Sequence, residues 1–167
     1  MKYIKFLLII FIFLTTSLAI DKTYVFDIIF QGNSNVKNME LGSLLRLQKK
    51  TFFTTTEFKI NKLNLDLITL QSYYKSKGYL DAKIDYSYDY INDDNVSITF
   101  IISEGIRYKI GNIVIMGNKS FKDSYILDLI KLDSKHYNPI YVRNKLVDLK
   151  NEYLRIGKIN ISINEEI

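Results

Sequence analysis

The amino-acid sequence predicts an α+β fold class, built from two tandem β-α-α-β-β units of which the second lacks its last strand. Three observations predict it. An apolar strand pattern closed by Gly-Asn occurs twice, at 25–33 and at 110–118. Each copy is followed by two stretches of helical spacing, the second of which ends at a glycine. A run of strict alternation, broken by a polar turn, then follows the first pair of helices.

The first strand is carried by Val25, Ile28 and Phe30 in one copy and by Ile110, Ile113 and Ile115 in the other. Side chains two apart share one face of a strand. Gly32-Asn33 and Gly117-Asn118 end it, since both residue types tolerate the positive φ of a turn. The first helical stripe is Val36, Leu41, Leu44, Leu45 and Leu47, answered by Phe121, Ile126, Leu129, Ile130 and Leu132. Ser120, with Asp123 three residues on, predicts a capping arrangement in which Asp replaces the usual Glu or Gln.

The second helix is clearer. Leu63, Leu67, Leu70 and Tyr74 match Val142, Leu146, Leu149 and Tyr153, spaced 4, 3, 4 as one buried helical face requires. Asn138-Pro139 predicts an N-cap followed by proline at the first helical position, where the missing N–H costs nothing. Gly78 and Gly157 sit where a left-handed residue closes a helix.

After Gly78, Leu80, Ala82, Ile84, Tyr86, Tyr88 and Tyr90 face one way, and Tyr79, Asp81, Lys83, Asp85, Ser87 and Asp89 the other. The turn cluster at 91–95 leads into Val96, Ile98, Phe100 and Ile102, alternating with polar neighbours, so the two strands predict a hairpin. The tyrosine row is expected to be core. The second copy reaches its second strand in GKINISINEEI, residues 157–167, and no third strand follows.

Composition excludes much of chemistry. The 167 residues are 47% hydrophobic and 25% charged, which is globular and not disordered. There is no cysteine, so disulfides, thiolate nucleophiles and cysteine metal sites are excluded. The formal charge is +5, but its basic residues are scattered, with no run longer than Lys49-Lys50. A nucleic-acid binder concentrates its Lys and Arg on one face, so no nucleic-acid partner is expected. The one histidine, His136, falls in a polar connection and reads as an exposed loop residue. Asp93-Asp94 reads as turn chemistry and not as a catalytic pair. No enzyme activity, metal or cofactor is expected.

Residues 1–19 read as a secretory signal peptide. Lys2 and Lys5 precede the apolar run 6–14, and Ser17 and Ala19 stand at the small-residue positions of a cleavage site. The remainder divides at 20–105 and 106–167.

The I-x-x-I-x-I-x-G-N start at 110–118, its equivalent at 25–33, the YYKSKGYLDAKIDY stretch at 73–86 and the ISEG at 102–105 together resemble the POTRA repeat. That repeat is the periplasmic module of the BamA-like outer membrane assembly family. The resemblance covers nearly all of the chain after its leader. It departs in two places. Six additional residues separate Gly32 from Gly78 compared with Gly117 and Gly157, in the inter-helix stretch KKTFFTTTEF. The second repeat also lacks its third strand and no barrel follows, so the chain is expected to be a fragment or truncated copy of a longer protein.

The resemblance implies a small mixed sheet in each unit, covered on one face by two helices. It implies a periplasmic region, associated with the outer membrane through a C-terminal barrel absent here. Unfolded outer membrane proteins, accessory assembly subunits or periplasmic chaperones would bind it by β-strand addition. An outer strand offers unpaired N–H and C=O groups to such a segment. The resemblance implies that strand two is this edge. Tyr79, Asp81, Lys83 and Asp85 are then the contact candidates on the strand, with Lys62, Gln71 and Lys75 beside helix two. Two alternatives are a single-pass inner membrane division-type protein that keeps residues 4–20 as an anchor, and the repeat region of a two-partner-type outer membrane translocator.

Overall fold

The computed structural model describes residues 22–132 and 136–166, so the predicted leader at 1–19 lies outside the described residues. Its elements run β1 (Tyr24–Gln31), α1 (Asn38–Leu44), α2 (Ile60–Ser76), β2 (Lys83–Asn92), β3 (Asn95–Ser103), α3 (Asp123–Ile130) and α4 (Pro139–Arg155).

The three strands make one sheet in the order β1-β3-β2. β1 runs parallel to β3, and β2 antiparallel to it, so the sheet is mixed. The last strand in the chain is therefore the middle one. Its inward residues Val96, Ile98, Phe100 and Ile102 are buried, and alternation puts the polar partners on the opposite face. Leu63, Leu70 and Tyr74 from α2 and Leu41 from α1 close the same core. The helical spacing predicted these residues, and both helices lie on one face of the sheet.

Two buried carboxylates tie this core together. Asp66 stands on the inward face of α2 and accepts from the N–H groups of Arg46 at 2.8 Å and Leu47 at 2.9 Å. It thereby fixes the chain just after α1. Glu104 accepts from Asn35 N, Asn35 Nδ2 and the Tyr74 hydroxyl. Burial, with Glu104 beside it, pushes the Tyr74 phenol well above the usual tyrosine range. Gly32, at φ +86°, passes so close to the Ile102 backbone that a Cβ would run into its carbonyl oxygen.

The repeat is visible down to single hydrogen bonds. Asn33 Nδ2 donates to Val36 O and Asn38 Oδ1, at 2.8 and 2.6 Å. Asn118 Nδ2 donates to Phe121 O and Asp123 Oδ1, at 2.6 and 3.0 Å. The capping arrangement expected between Ser120 and Asp123 does not form. Lys122 precedes α3 without a side-chain cap, and Asn118 Oδ1 instead accepts from the N–H groups of Ser120 and Phe121. An amide carries both a donor and an acceptor, so one side chain closes this turn alone. At α4 the expected cap is present, with Asn138 Oδ1 accepting from Ile140 N and Tyr141 N ahead of Pro139.

Among the described residues, the strands expected at 110–118 and 157–167 are not found. Among the described residues after Ser103, the only β pairing is an isolated bridge between Lys109 and His136. In the first copy both outer strands hang from β3, and the described residues after Ser103 hold no counterpart of β3. The core of this half is correspondingly small: Ile126, Ile130 and Leu149, with Ile115, Phe121, Leu129, Tyr153 and Ile163 packed against them.

The two halves meet at the end of α2. Arg107 Nε donates to Lys77 O at 2.8 Å, and its guanidinium lies over the Tyr79 ring. Tyr108 N donates to Gly78 O at 2.8 Å, its hydroxyl donates to Asp81 at 2.6 Å, and Tyr137 N donates back to Tyr108 O. His136 is thus no exposed loop residue: it is partly buried, bridged to Lys109 and packed against Gly78.

Candidate functional site

A three-stranded sheet has two edges, and here they differ. The start of β1 is covered by the segment between α1 and α2. Val25 N donates to Thr56 O, Lys50 N to Val25 O and Phe58 N to Thr23 O, at 2.8 to 2.9 Å. Among the described residues no backbone group other than those of β3 bonds to β2. The outer side of β2 is the open edge, as strand two was expected to be. It begins at Lys83, four residues later than the alternation indicated.

That late start redistributes the candidate residues. Tyr79 is not on the strand. It follows Gly78 in a turn, is 3% exposed, and packs its ring against Tyr74 in the core. The alternation read through a turn, where the period of two does not apply, and so put Tyr79 on the wrong face. Asp81 also precedes the strand, and its carboxylate is engaged by the Tyr108 hydroxyl. That bond raises the Tyr108 phenol above its usual range. Lys83 and Asp85 do lie on β2 and are exposed.

Asp85 has a second property. Its Oδ1 accepts from the N–H of Tyr86 at 2.8 Å, so the strand's own side chain occupies that amide. On β1, Asp27 does the same for Ile28 at 3.0 Å. A carboxylate over an edge N–H hinders casual pairing, which is how edge strands are kept from aggregating.

The helix flank beside β2 holds Gln71 and Lys75 but not Lys62. At 100° per residue, Asn64, Ile68, Gln71 and Lys75 share a flank. The Tyr86 hydroxyl donates to Asn64 Oδ1 at 2.8 Å, which places that flank against β2. Lys62 lies on the opposite flank with Asp66, Thr69 and Tyr73, the side that meets Arg46 and Glu40. Ile68, 56% exposed between Asn64 and Lys75, was missed by sequence reasoning. Its signal was present as the i, i+4 spacing to Asn64. The tyrosine row divides as well. Tyr86 packs against the core, whereas Tyr88 and Tyr90 stand beyond the helices, at 36% and 61% exposed. The helical layer is shorter than the hairpin, so the row outruns its cover.

The surface thus assembled is a strand edge with Lys83 and Asp85, flanked by a groove of Ile68, Gln71, Lys75 and the Tyr86 and Tyr88 rings. Among the described residues no group of His, Asp or Glu is arranged to hold a metal ion. A small cavity of about 110 Å³ beside Glu40, Lys77 and Arg107 belongs to the junction between the halves. Hydrogen bonds from Tyr73 and Lys77 hold the Glu40 carboxyl below its usual range.

Comparison with known proteins gives a consistent result. The family profile POTRA, described as surface antigen variable number repeat, matches residues 23–105 and 108–167. The outer membrane protein assembly factor BamA of Buchnera aphidicola is 27% identical over 154 residues, covering 86% of this chain and 25% of that protein. BamA of Nitratidesulfovibrio vulgaris is 28% identical over 122 residues, covering 68% of this chain and 15% of that one. The chain therefore spans a quarter or less of the length of these relatives. The crystal structure of Haemophilus influenzae BamA POTRA3-5 superposes with a TM-score of 0.54 at 21% identity, covering 81% of this chain and 55% of that one.

Proposed function

Because this chain belongs to the POTRA family, we propose that it is the extracytoplasmic repeat region of an outer membrane protein assembly factor and captures extended segments of client proteins along β2. The single observation that carries this reading is the open outer side of β2, set against the covered start of β1. Unfolded outer membrane proteins are the proposed clients, with accessory subunits or periplasmic chaperones as further partners. Main-chain pairing suits such clients, since it is largely indifferent to their side chains. The residues proposed to meet the incoming strand are Lys83 and Asp85, with Gln71 and Lys75 beside them; Tyr79 is buried, Asp81 precedes the strand and holds the Tyr108 hydroxyl, and Lys62 lies on the far flank of α2. We assign no catalytic step to the chain, and we divide it into a leader at 1–19 and repeats at 20–105 and 106–167.

The test is a proline scan. Binding of an unfolded barrel protein to the purified chain is measured for Ile84→Pro and Tyr88→Pro, whose N–H groups share the outer side with that of Tyr86, against the alanine variants at the same positions. Proline removes the backbone donor, whereas alanine removes only the side chain. Weaker binding for proline than for alanine, with circular dichroism unchanged, supports strand addition. Equal binding by both overturns it.

A further inference from the structure

We propose that the tip of the segment between α1 and α2, Phe52-Phe53, is a lipid contact that seats the N-terminal unit on an anionic bilayer surface. This goes beyond client binding and does not depend on it. Phe52 and Phe53 are 95% and 92% exposed, their rings edge to face at 5.0 Å. Two phenylalanines so fully in water cost free energy unless something covers them. They sit in the stretch that makes this inter-helix segment longer than its counterpart in the second repeat.

Three features favour lipid as the cover. First, the tip is a closed turn. Thr51 N donates to Thr54 O at 2.8 Å, and Thr51 Oγ1 accepts from the N–H groups of Phe53 and Thr54. Three of the tip's amides, those of Thr51, Phe53 and Thr54, are thus satisfied within the turn, which lowers the cost of bringing them into a low-dielectric interface. Such a turn is also a poor template for strand addition, which needs free amides. Second, the charge is right. Lys49 and Lys50 precede the tip, and no acid lies between them and Glu57. Glu57 pairs with Lys59 and Lys49 with Asp27, which leaves the exposed Lys50 to meet a phosphate. Basic residues beside an apolar insertion add electrostatic attraction to anionic lipid. Third, the size is right. Two rings on a convex tip fall well short of the ~1,200 Å² that a stable protein interface buries, but aromatic rings partition into a bilayer interface singly.

The tip is also well presented. Its base is bonded to the start of β1, at Thr23 and Val25. The hairpin end bearing Tyr90 and Ile91, 61% and 52% exposed, comes to the same end of the sheet through Tyr24 N bonded to Asp94 O. Asp93 and Asp94 at that turn keep the contact shallow.

The chain contains no tryptophan, so an introduced indole reports its own position. The 167-residue chain carrying Phe53→Trp is mixed with vesicles of phosphatidylglycerol and phosphatidylcholine, and its emission is compared with that of Met39→Trp. Met39 is 83% exposed on α1, at the other end of β1. Residues 4–20 would bring every variant to the vesicle alike, so only the difference between the two positions counts. A blue shift and quenching by brominated acyl chains at position 53 alone, reduced by a Lys50→Glu change in the same background, is the expected result. No shift at 53, or equal shifts at 53 and 39, overturns the proposal. A shift at 53 that rises with protein concentration and needs no vesicles overturns it in favour of a second copy as the cover.

Discussion

Asp66 lies on the inward face of α2 between Leu63 and Leu70, where the helical period asks for an apolar residue. Its two oxygens take the N–H groups of Arg46 and Leu47, and the Arg46 guanidinium stands 3.5 Å away. A carboxylate accepting backbone amides forms short charge-assisted bonds, and removing it strands the donors. Asp66→Ala is expected to cost roughly 3 kcal/mol of stability, since two buried amides lose their partner. Asp66→Asn should recover only part of that loss, because one of its two acceptors becomes a donor. Urea unfolding of the three proteins checks this. A loss for Asp66→Ala no larger than that of an exposed-site control such as Asp89→Ala would show that water replaces the carboxylate.

Among the elements, the second helices were the most legible in the sequence. Spacings of 4, 3, 4 and a closing glycine located α2 and α4, because one long amphipathic face obeys one period from end to end. The strands were legible only where they pair. Val96 to Ile102 alternates and is a strand; Ile113 and Ile115 also stand two apart, but no strand lies beside them among the described residues. Alternation reports which faces a segment could present, while a strand also requires a neighbour to bond with. Tyr79 and Lys62 illustrate the same limit for the candidate site, since an ill-placed strand start or the wrong helix flank each moves a side chain away from the edge. It follows that α2 and α4, equal in length, differ in protection. Amide exchange is expected to be slow through α2, which rests on a three-stranded sheet, and several-fold faster through α4. Equal protection of the two helices would contradict this.

For the whole molecule, a cluster of polar contacts sets one half against the other: Arg107 on Lys77 O, and Tyr108 on Gly78 O and on Asp81, with Tyr137 N bonded in turn to Tyr108 O. Gly78 leaves room for them. At φ +95°, a Cβ there would stand 3.0 Å from Tyr108 O and 3.2 Å from Tyr137 O. Backbone bonds fix the distance between the halves, and the Tyr108–Asp81 bond limits their rotation. Tyr108→Phe is therefore expected to leave the melting of the N-terminal half unchanged within about 1 kcal/mol while broadening the distance distribution in small-angle scattering. Gly78→Ala should broaden it further and also lower stability, because alanine is strained at positive φ. An unchanged distribution in both variants would mean that the linker path alone holds the angle.

The strand order has a consequence in time. β1 is made first and β3 last, yet β1 has no partner in the sheet except β3. As the chain emerges from its N-terminus, β1 has only the segment 50–58 to bond with until residues 95–103 arrive. Closing so long a loop before any sheet bond forms makes for a high contact order and a slow, late step. The N-terminal unit is thus committed to staying open through most of its synthesis and shutting in one cooperative event when the middle strand slides home.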